Sequence, residues 1–130
     1  MILVTGGAGF IGPRVAERLV EGGELVRILD NLSTGDISNI SGLIKTGGVE
    51  LVKGDVLDPA LVRRATKECG LIYHLAAQSS VPVSTGDPAG DMRINVEGTV
   101  NVLEAARSNG AKVIFASSST VYGMAQNSYR

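Results

Sequence analysis

Residues 1–12 have the sequence MILVTGGAGFIG, in which a short apolar run gives way to a glycine-rich turn. Residues 1–5 are apolar and rich in β-branched side chains, which is typical of a buried strand. From Ile11 onward the apolar residues Ile11, Val15 and Leu19 recur at helical spacing. The segment therefore predicts a strand, a tight turn and a helix.

Three glycines, Gly6, Gly9 and Gly12, give this turn the spacing G-x-x-G-x-x-G. Gly6 allows a sharp turn off the strand, Gly9 carries no side chain to keep a pyrophosphate away from the backbone, and Gly12 allows close helix–strand packing. The unpaired N–H groups at the start of the helix attract an anion. A glycine triplet also fits a purely structural turn, so its context has to decide between the two.

An acidic residue supplies that context. Residues 24–29 predict a second strand, and Asp30 stands at its end, 21 residues after Gly9. A carboxylate about 20 residues beyond the glycines is expected to bind the ribose hydroxyls of NAD, although a solvated turn residue is the alternative. It would repel the 2′-phosphate of NADP, and neither Arg14 nor Arg27 is placed to reverse that preference.

Length and composition restrict the protein class. A chain of 130 residues makes one domain, 1–130, and its net charge of −1 gives no electrostatic argument for binding nucleic acid or a membrane surface. No apolar run is long enough to span a bilayer. Cys69 is the single cysteine, which excludes an internal disulfide and offers no cysteine partner for a metal. We expect a cytoplasmic protein without a metal site.

The remainder of the chain alternates strands with helices. Asp58-Pro59 and Asp87-Pro88 each predict a helix start, with a capping aspartate and a proline in the first turn. The first of these helices is expected to end at Gly70, a loop to follow over 77–86, and a long helix to span 88–109. The predicted strands are residues 1–5, 24–29, 48–53, 71–76 and 111–116.

This alternation predicts an α/β fold, namely a Rossmann-type doubly wound parallel sheet with strand order 3-2-1-4-5. Ligands of such sheets bind beyond the carboxyl ends of the strands, at the switch point between strands 1 and 4. The glycine turn, Asp30, Asp55 and the segments after strands 4 and 5 all fall at these ends.

Together, the separated motifs resemble those of the extended short-chain dehydrogenase/reductases. Among these, the chain is most similar to the NAD-dependent sugar-nucleotide epimerases of the UDP-glucose 4-epimerase type. The resemblance covers residues 1–123 and rests on TGGAGFIG (5–12), DNLSTG (30–35), GD (54–55), HLAAQ (74–78), NVEGT (95–99) and SSSTVYG (117–123).

The resemblance implies NAD as cofactor, a nucleotide sugar as substrate, and a role for each matching residue. Asn95 would support the active-site strand and its water network, and Ser118 would hydrogen-bond the sugar hydroxyl that is oxidised. The implied cofactor contacts are Gly6, Gly9, Phe10, Ile11 and Gly12 at the pyrophosphate, Asp30 and Asn31 at the adenosine ribose, Asp55 and Val56 at the adenine, and Leu75, Ala76, Ala77 and Ser117 along the rest of the cofactor.

Several of these residues also have a simpler interpretation. Asn95 could cap or bend a helix, because asparagine is a poor helix-interior residue. The serine run could be a turn after a strand. His74 lies inside an apolar strand, which favours a packed, hydrogen-bonded core histidine over a base. Tyr73 and Tyr122 are expected to be packing residues.

The family's general base is a Tyr-x-x-x-Lys pair on one helix face, in which the lysine lowers the tyrosine pKa. Tyr122 is followed four residues later by Gln126, and none of the 130 residues completes such a pair. We therefore expect the N-terminal cofactor-binding portion of a larger enzyme. It would be truncated after the fifth strand, lack the substrate-binding C-terminal part, and be inactive alone.

Three alternatives remain. A sugar-nucleotide 4,6-dehydratase is disfavoured, because that activity places Asp-Glu directly after the catalytic Ser/Thr, where this chain has Ser119 and Thr120. An NADP-linked reductase is disfavoured by Asp30. A non-catalytic NAD-sensing or interaction domain would share the missing Tyr and Lys.

The long helix raises a separate question about partners. Met92, Val96, Val100 and Leu103 recur at helical spacing within 88–109. In the family such helices pair subunits, so the resemblance implies a homodimer. Burial of these side chains on the sheet of a single subunit is the alternative.

Overall fold

The computed structural model describes residues 1–123, which form a parallel sheet flanked by helices. Its five strands have the order β3-β2-β1-β4-β5, which confirms the predicted topology. Each neighbouring pair is parallel, with Ile2 of β1 aligned to Val26 of β2 on one side and Leu71 of β4 on the other. The strands are β1 (Ile2–Thr5), β2 (Val26–Asp30), β3 (Val49–Lys53), β4 (Leu71–His74) and β5 (Lys112–Phe115).

The helices follow the expected alternation, with three corrections. The helix begun at Asp58 ends at Ala65 rather than at Gly70, residues 81–86 of the expected loop form a short helix, and the long helix contains a π-helical segment, Arg93–Glu97. The α-helices are α1 (Gly12–Glu21), α2 (Ser41–Lys45), α3 (Pro59–Ala65), α4 (Val81–Gly86), α5 (Pro88–Met92) and α6 (Gly98–Asn109); Ile37–Asn39 and Ser119–Tyr122 are 3₁₀ helices.

The early end of α3 has a local cause. The Thr66 hydroxyl donates to the Arg63 carbonyl, 3.1 Å away, and Glu68 has a φ of 66°. A left-handed residue cannot continue a right-handed helix. The start of α3 agrees with the prediction, since one Asp58 carboxylate oxygen accepts from the backbone N–H groups of Ala60 and Leu61.

Strand β1 is the centre of the core, and all four of its residues are buried. Because successive side chains of a strand point to opposite faces, Leu3 and Val4 belong to two separate apolar clusters. Leu3 packs with side chains of α3 and α6, whereas Val4 packs with those of α1 and α2. This two-sided burial explains the uninterrupted apolar sequence of the strand. Within residues 1–123, no helix has the length and apolarity needed to cross a membrane; the cytoplasmic location stays a prediction.

The glycine turn brings α1 against the carboxyl end of β1. Gly6 has a φ of 68°, and a Cβ there would lie 2.7 Å from the Ala76 backbone nitrogen. A Cβ on Gly12 would lie 2.5 Å from both the Gly6 carbonyl oxygen and the Gly7 Cα. Gly6 and Gly12 cannot carry side chains, because another backbone segment lies within contact distance of each, as expected for a close helix–strand contact.

We predict that Gly12→Ala destabilises the fold, whereas Gly42→Ala does not. The new methyl group at residue 12 meets fixed backbone, and such overpacking costs roughly 1–3 kcal/mol. Gly42 lies within α2 with nothing within 4 Å of an added Cβ, so alanine there should be neutral or stabilising by up to about 1 kcal/mol. The measurement is the urea midpoint of each variant; equal midpoints would show that α1 can move away from β1.

Candidate functional site

A cleft of about 450 Å³ opens at the carboxyl ends of the strands. It lies where the predicted topology places a ligand, at the switch point between β1 and β4. Of the residues predicted to contact the cofactor, all but Ser117 line it: Gly6, Gly9, Phe10, Ile11, Gly12, Asp30, Asn31, Asp55, Val56, Leu75, Ala76 and Ala77. Ser33, Thr34, Gln78 and Ile94 also line the cleft and were not predicted.

The glycine turn forms one wall of the cleft. The Gly9 N–H donates to the Gly6 carbonyl, 3.3 Å away, and a Cβ on Gly9 would meet nothing closer than that same oxygen, at 3.4 Å. The first turn of α1 has Ile11 as its N-cap and no side-chain capping bond. This wall therefore presents backbone and the positive end of a helix dipole to the cleft.

Asp30 ties the glycine turn to the loop after β2. One of its carboxylate oxygens, Oδ2, accepts from the Ala8 N–H at 2.9 Å, and Oδ1 accepts from the Leu32 N–H at 2.8 Å. Asp30 is only 8 % exposed, which rules out the alternative of a solvated turn residue. Each oxygen has a second lone pair, so the carboxylate can still accept from a ligand hydroxyl.

The loop after β2 is held in an unusual backbone conformation. Leu32 has a φ of 59°, in the left-handed region that residues other than glycine and asparagine rarely adopt. Its N–H is the group bonded to Asp30, so the carboxylate helps to hold this conformation. The arrangement directs Asn31, Ser33 and Thr34 to the cleft.

Asn31 and Asp55 are hydrogen-bonded to each other in the lining of the cleft. The Asn31 amide donates to an Asp55 carboxylate oxygen, Oδ2, at 2.8 Å, and the other oxygen of Asp55 accepts from the Leu57 N–H at 2.9 Å. Behind them, the Asn101 amide donates to the Val56 carbonyl, 2.9 Å away. Asn101 was missed by sequence reasoning, because its partner lies 45 residues away in the sequence.

Arg14 and Arg27 make their contacts away from Asp30 and Asp55. Arg27 donates to the Ala65 and Lys67 carbonyls, both at 2.9 Å, and pairs with Glu50. Arg14 pairs with Glu17 on the exposed face of α1. Neither arginine lines the cleft, which agrees with the expectation that neither offsets the charge of Asp30.

Asn95 clamps the loop after β4 from within the π-helical segment. Its side-chain oxygen accepts from the Gln78 N–H at 2.8 Å, and its amide nitrogen donates to the Gln78 carbonyl at 2.9 Å. The same nitrogen donates to Asp91, 3.2 Å away. The residue therefore lies at an interruption of the helix and also fixes the backbone of Gln78, which lines the cleft.

The predicted serines stand next to the cleft. Ala116 lines it, whereas Ser117 and Ser118, the next residues along the chain, are exposed and are not among the lining residues. The Ser118 carbonyl accepts from the Val121 N–H at 3.3 Å, in a turn after β5. The role of Ser118 toward a sugar hydroxyl stays a prediction. Gln126 and Tyr129 lie outside the described residues.

Burial shifts the pKa values of two side chains, His74 and Cys69. Burial lowers the pKa of His74 to about 4, so its imidazole is neutral at pH 7. It is hydrogen-bonded on both ring nitrogens, as expected of a packed histidine. Burial raises the pKa of the Cys69 thiol. Among residues 1–123, no cluster of three or more His, Cys, Asp or Glu could hold a metal ion.

A doubly wound sheet with a glycine turn at its switch point defines an α/β domain of the dinucleotide-binding type. The model of the NAD dependent epimerase/dehydratase family matches residues 2–129, and the chain belongs to that family.

Two curated relatives match this chain over part of their own length. The chain is 44 % identical over 126 residues to a putative UDP-glucose 4-epimerase of Methanocaldococcus jannaschii, covering 95 % of this chain and 40 % of that protein. It is 38 % identical over 122 residues to UDP-glucuronic acid decarboxylase 1 of Danio rerio, covering 94 % and 28 %. The chain thus spans less than half the length of these relatives.

A solved structure with NAD bound has a similar fold over this portion. The dTDP-glucose 4,6-dehydratase DesIV of Streptomyces venezuelae, determined with NAD bound, superposes with a TM-score of 0.91 at 32 % identity, covering 98 % of this chain and 42 % of that one. Three different activities therefore share this portion. The decarboxylase was not among the alternatives drawn from the sequence.

We predict that Asp30→Asn destabilises the protein even without a ligand. An amide has one acceptor oxygen, so its NH₂ group would face either the Ala8 or the Leu32 N–H, leaving a buried donor unpaired at a cost of roughly 1–3 kcal/mol. Asp36→Asn is the control, because Asp36 is exposed and accepts from the Ser38 N–H, a bond that an amide oxygen can keep. Thermal unfolding measures both; equal melting temperatures would contradict the clamp.

Proposed function

We propose that the chain is the NAD-binding portion of a sugar-nucleotide epimerase of the UDP-glucose 4-epimerase type. The observation that carries this proposal is the buried carboxylate of Asp30 beside the glycine turn, with neither Arg14 nor Arg27 directed to it. A carboxylate there accepts from ribose hydroxyls and repels a 2′-phosphate. The relative from Methanocaldococcus jannaschii supports the choice of epimerase within the family.

The residues of the cleft fit NAD. The glycine turn and the first turn of α1 would hold the pyrophosphate, because Gly9 leaves the backbone accessible on the cleft side. Asp30 and Asn31 would hold the adenosine ribose, Asp55 and Val56 would flank the adenine, and Leu75, Ala76 and Ala77 would line the path toward the nicotinamide. Bound NAD would accept hydride from the C4 carbon of the sugar while the C4 hydroxyl loses its proton to a base, and the reduced cofactor would supply the hydride for return to the opposite face of the ketone.

Ser118 is proposed to bind the hydroxyl that is oxidised, and Asn95 to hold the loop beside it. The 130 residues contain no Tyr-x-x-x-Lys pair, so the general base of the proposed reaction would come from residues outside them. The relatives are more than twice as long as the matched portion, which leaves room for that base and for the nucleotide-sugar site.

Two alternatives are weighed against this proposal. A 4,6-dehydratase has a structural neighbour in its favour, but Ser119 and Thr120 supply no carboxylates after Ser118. A non-catalytic NAD-sensing domain would need no Tyr-x-x-x-Lys pair, so the 130 residues are compatible with it. A longer reading frame that supplies Tyr and Lys would exclude the sensing domain.

We further propose that the chain pairs with a second copy through the outer face of α5, the π-helical segment and α6. Met92, Val96, Val100 and Leu103 are each between 47 % and 54 % exposed, so they do not pack on the sheet as the alternative required. The residues of α6 that are buried are Gly98, Val102, Ala105 and Ala106. An apolar stripe at helical spacing suits a helix–helix interface.

We predict saturable binding of NAD to the 130-residue chain, with NADP weaker by at least about tenfold because of charge repulsion at Asp30. Gly9→Val should abolish or strongly weaken NAD binding while the fold persists, since a Cβ there meets only the Gly6 oxygen, at 3.4 Å. Gly42→Val, in open space on α2, is the matched control. Calorimetry measures the affinities. Unchanged binding by Gly9→Val would show that the glycine turn does not contact the cofactor.

For the proposed interface, we predict that Val100→Arg yields a monomer while the unsubstituted chain sediments as a dimer. A charge at the centre of an apolar interface is desolvated without a partner. Ile37→Arg changes another half-exposed apolar residue away from this face and should leave the dimer intact. Sedimentation velocity distinguishes the species. A monomer for the unsubstituted chain at high concentration would contradict the proposal.

A further inference from the structure

A chain of hydrogen bonds runs beneath the cleft from β1 to the π-helical segment. The hydroxyl of Thr5 lies 2.7 Å from Nδ1 of His74, and Nε2 of His74 lies 2.9 Å from the hydroxyl of Thr99. The Thr99 hydroxyl in turn donates to the Asn95 carbonyl, 2.7 Å away. His74 is therefore the link between the end of β1 and the residue that clamps the loop after β4.

The partners fix the direction of every proton. A carbonyl only accepts, so the single hydroxyl proton of Thr99 is directed to Asn95, and Thr99 must accept from Nε2 of His74. The Nε2 atom then carries the imidazole proton, and Nδ1 accepts from the Thr5 hydroxyl.

The other tautomer of His74, protonated on Nδ1, would leave the Thr5 hydroxyl proton without its acceptor. The Thr5 oxygen already accepts from the N–H groups of Leu75 and Ala76, both at 3.2 Å. If Nδ1 also donated to it, the oxygen would receive three protons, and the Nδ1 side would no longer accept the Thr5 hydroxyl proton. The Nε2–H form uses each donor of the chain once.

The π-helical segment explains why Asn95 needs this support. The Gly98 N–H bonds to the carbonyl of Arg93, five residues earlier, so the regular i to i−4 ladder is interrupted around Asn95. The Thr99 hydroxyl occupies the Asn95 carbonyl at this interruption. At Gly98 a Cβ would lie 2.7 Å from a Val56 methyl group, which shows how closely the helix passes the cleft wall.

We propose that His74 is a positioning residue that acts through Asn95. As a neutral imidazole protonated on Nε2, it joins the end of β1 to the π-helical segment and thereby sets the Asn95–Gln78 clamp that shapes the cleft. The consequence for cofactor affinity rests on the proposed function, whereas the tautomer and the clamp do not. Burial lowers the pKa of His74 to about 4, which agrees with a neutral ring at pH 7.

The first test is the tautomer in the unsubstituted chain. His74 is the single histidine of the sequence, so its ring resonances need no assignment by mutation. Long-range ¹H–¹⁵N spectra at pH 7 should show a protonated Nε2 and an unprotonated Nδ1. A protonated Nδ1, or rapid averaging of the two forms, would overturn the proposal.

The second test separates positioning from general stability. Thr99→Val removes the hydroxyl that accepts from His74, and Thr99→Ser keeps it. Thr85→Val is the matched control, because the Thr85 hydroxyl makes the same bond to a carbonyl four residues earlier without contacting the histidine. Hydrogen exchange of the Gln78 N–H reports the clamp, and exchange of the β1 amides reports global unfolding.

Thr99→Val should accelerate Gln78 exchange at least tenfold more than β1 exchange and weaken NAD binding, with Thr99→Ser and Thr85→Val close to the unsubstituted chain. Equal acceleration at Gln78 and β1 would mean that the hydrogen-bond network contributes only to global stability, which would overturn the proposal. Absence of NAD binding in the unsubstituted chain would contradict the proposed function instead, since the tautomer and exchange measurements do not involve NAD.

Discussion

The backbone contact between the start of α1 and the end of β1 is the constraint on which the cleft depends. With no side chain at Gly12, the helix begins within contact distance of the Gly6 carbonyl, and its first turn becomes a wall of the cleft. A longer separation would move the positive end of the helix dipole away from the switch point, where an anion can be bound between two strands. The absence of a side chain at Gly6 has a similar effect on the other side, because the backbone of Leu75 and Ala76, just after β4, lies where a Cβ would be.

Polar side chains around this contact substitute for backbone partners where the strands have ended. Asp30 accepts from the N–H groups of two different loops, Asn95 pairs with both backbone groups of Gln78, and Asn101 occupies the Val56 carbonyl. Backbone groups beyond a strand no longer have a ladder to join, and leaving them unpaired near a buried surface is costly. The loops that form the cleft are therefore ordered by side chains of the scaffold before any ligand arrives.

The fold was predictable because its signals are local. Apolar runs, the glycine spacing and the Asp-Pro helix starts each lie within a few residues, and together they determine strand order and the position of the cleft. Helix α4 was missed, since its sequence Val81–Gly86 contains proline, glycine and β-branched residues that favour loops. The π-helical segment was missed because apolar periodicity does not reveal one extra residue in a turn.

The site was predictable only in part, for a different reason. Most residues that line the cleft lie at strand ends or in the glycine turn, so their sequence positions identify them; Ile94, in the π-helical segment, is an exception. The partners that hold those residues are far away in sequence: Ala8 for Asp30, Gln78 for Asn95, and Thr5 and Thr99 for His74. A single sequence carries no record of which distant groups meet, and Asp30 accordingly looked like a ligand contact alone rather than also a structural clamp.

The relatives differ in activity although they share the portion matched by this chain. An epimerase, a decarboxylase and a dehydratase share the matched portion, and one of them was determined with NAD bound. One cofactor is compatible with different outcomes, because it supplies the redox chemistry, whereas the fate of a substrate depends on the acids and bases near its reacting carbon atoms. In this chain the loop clamped by Asn95 follows β4 and lines the cleft, and Asn95 is joined through Thr99 and His74 to Thr5 at the end of β1.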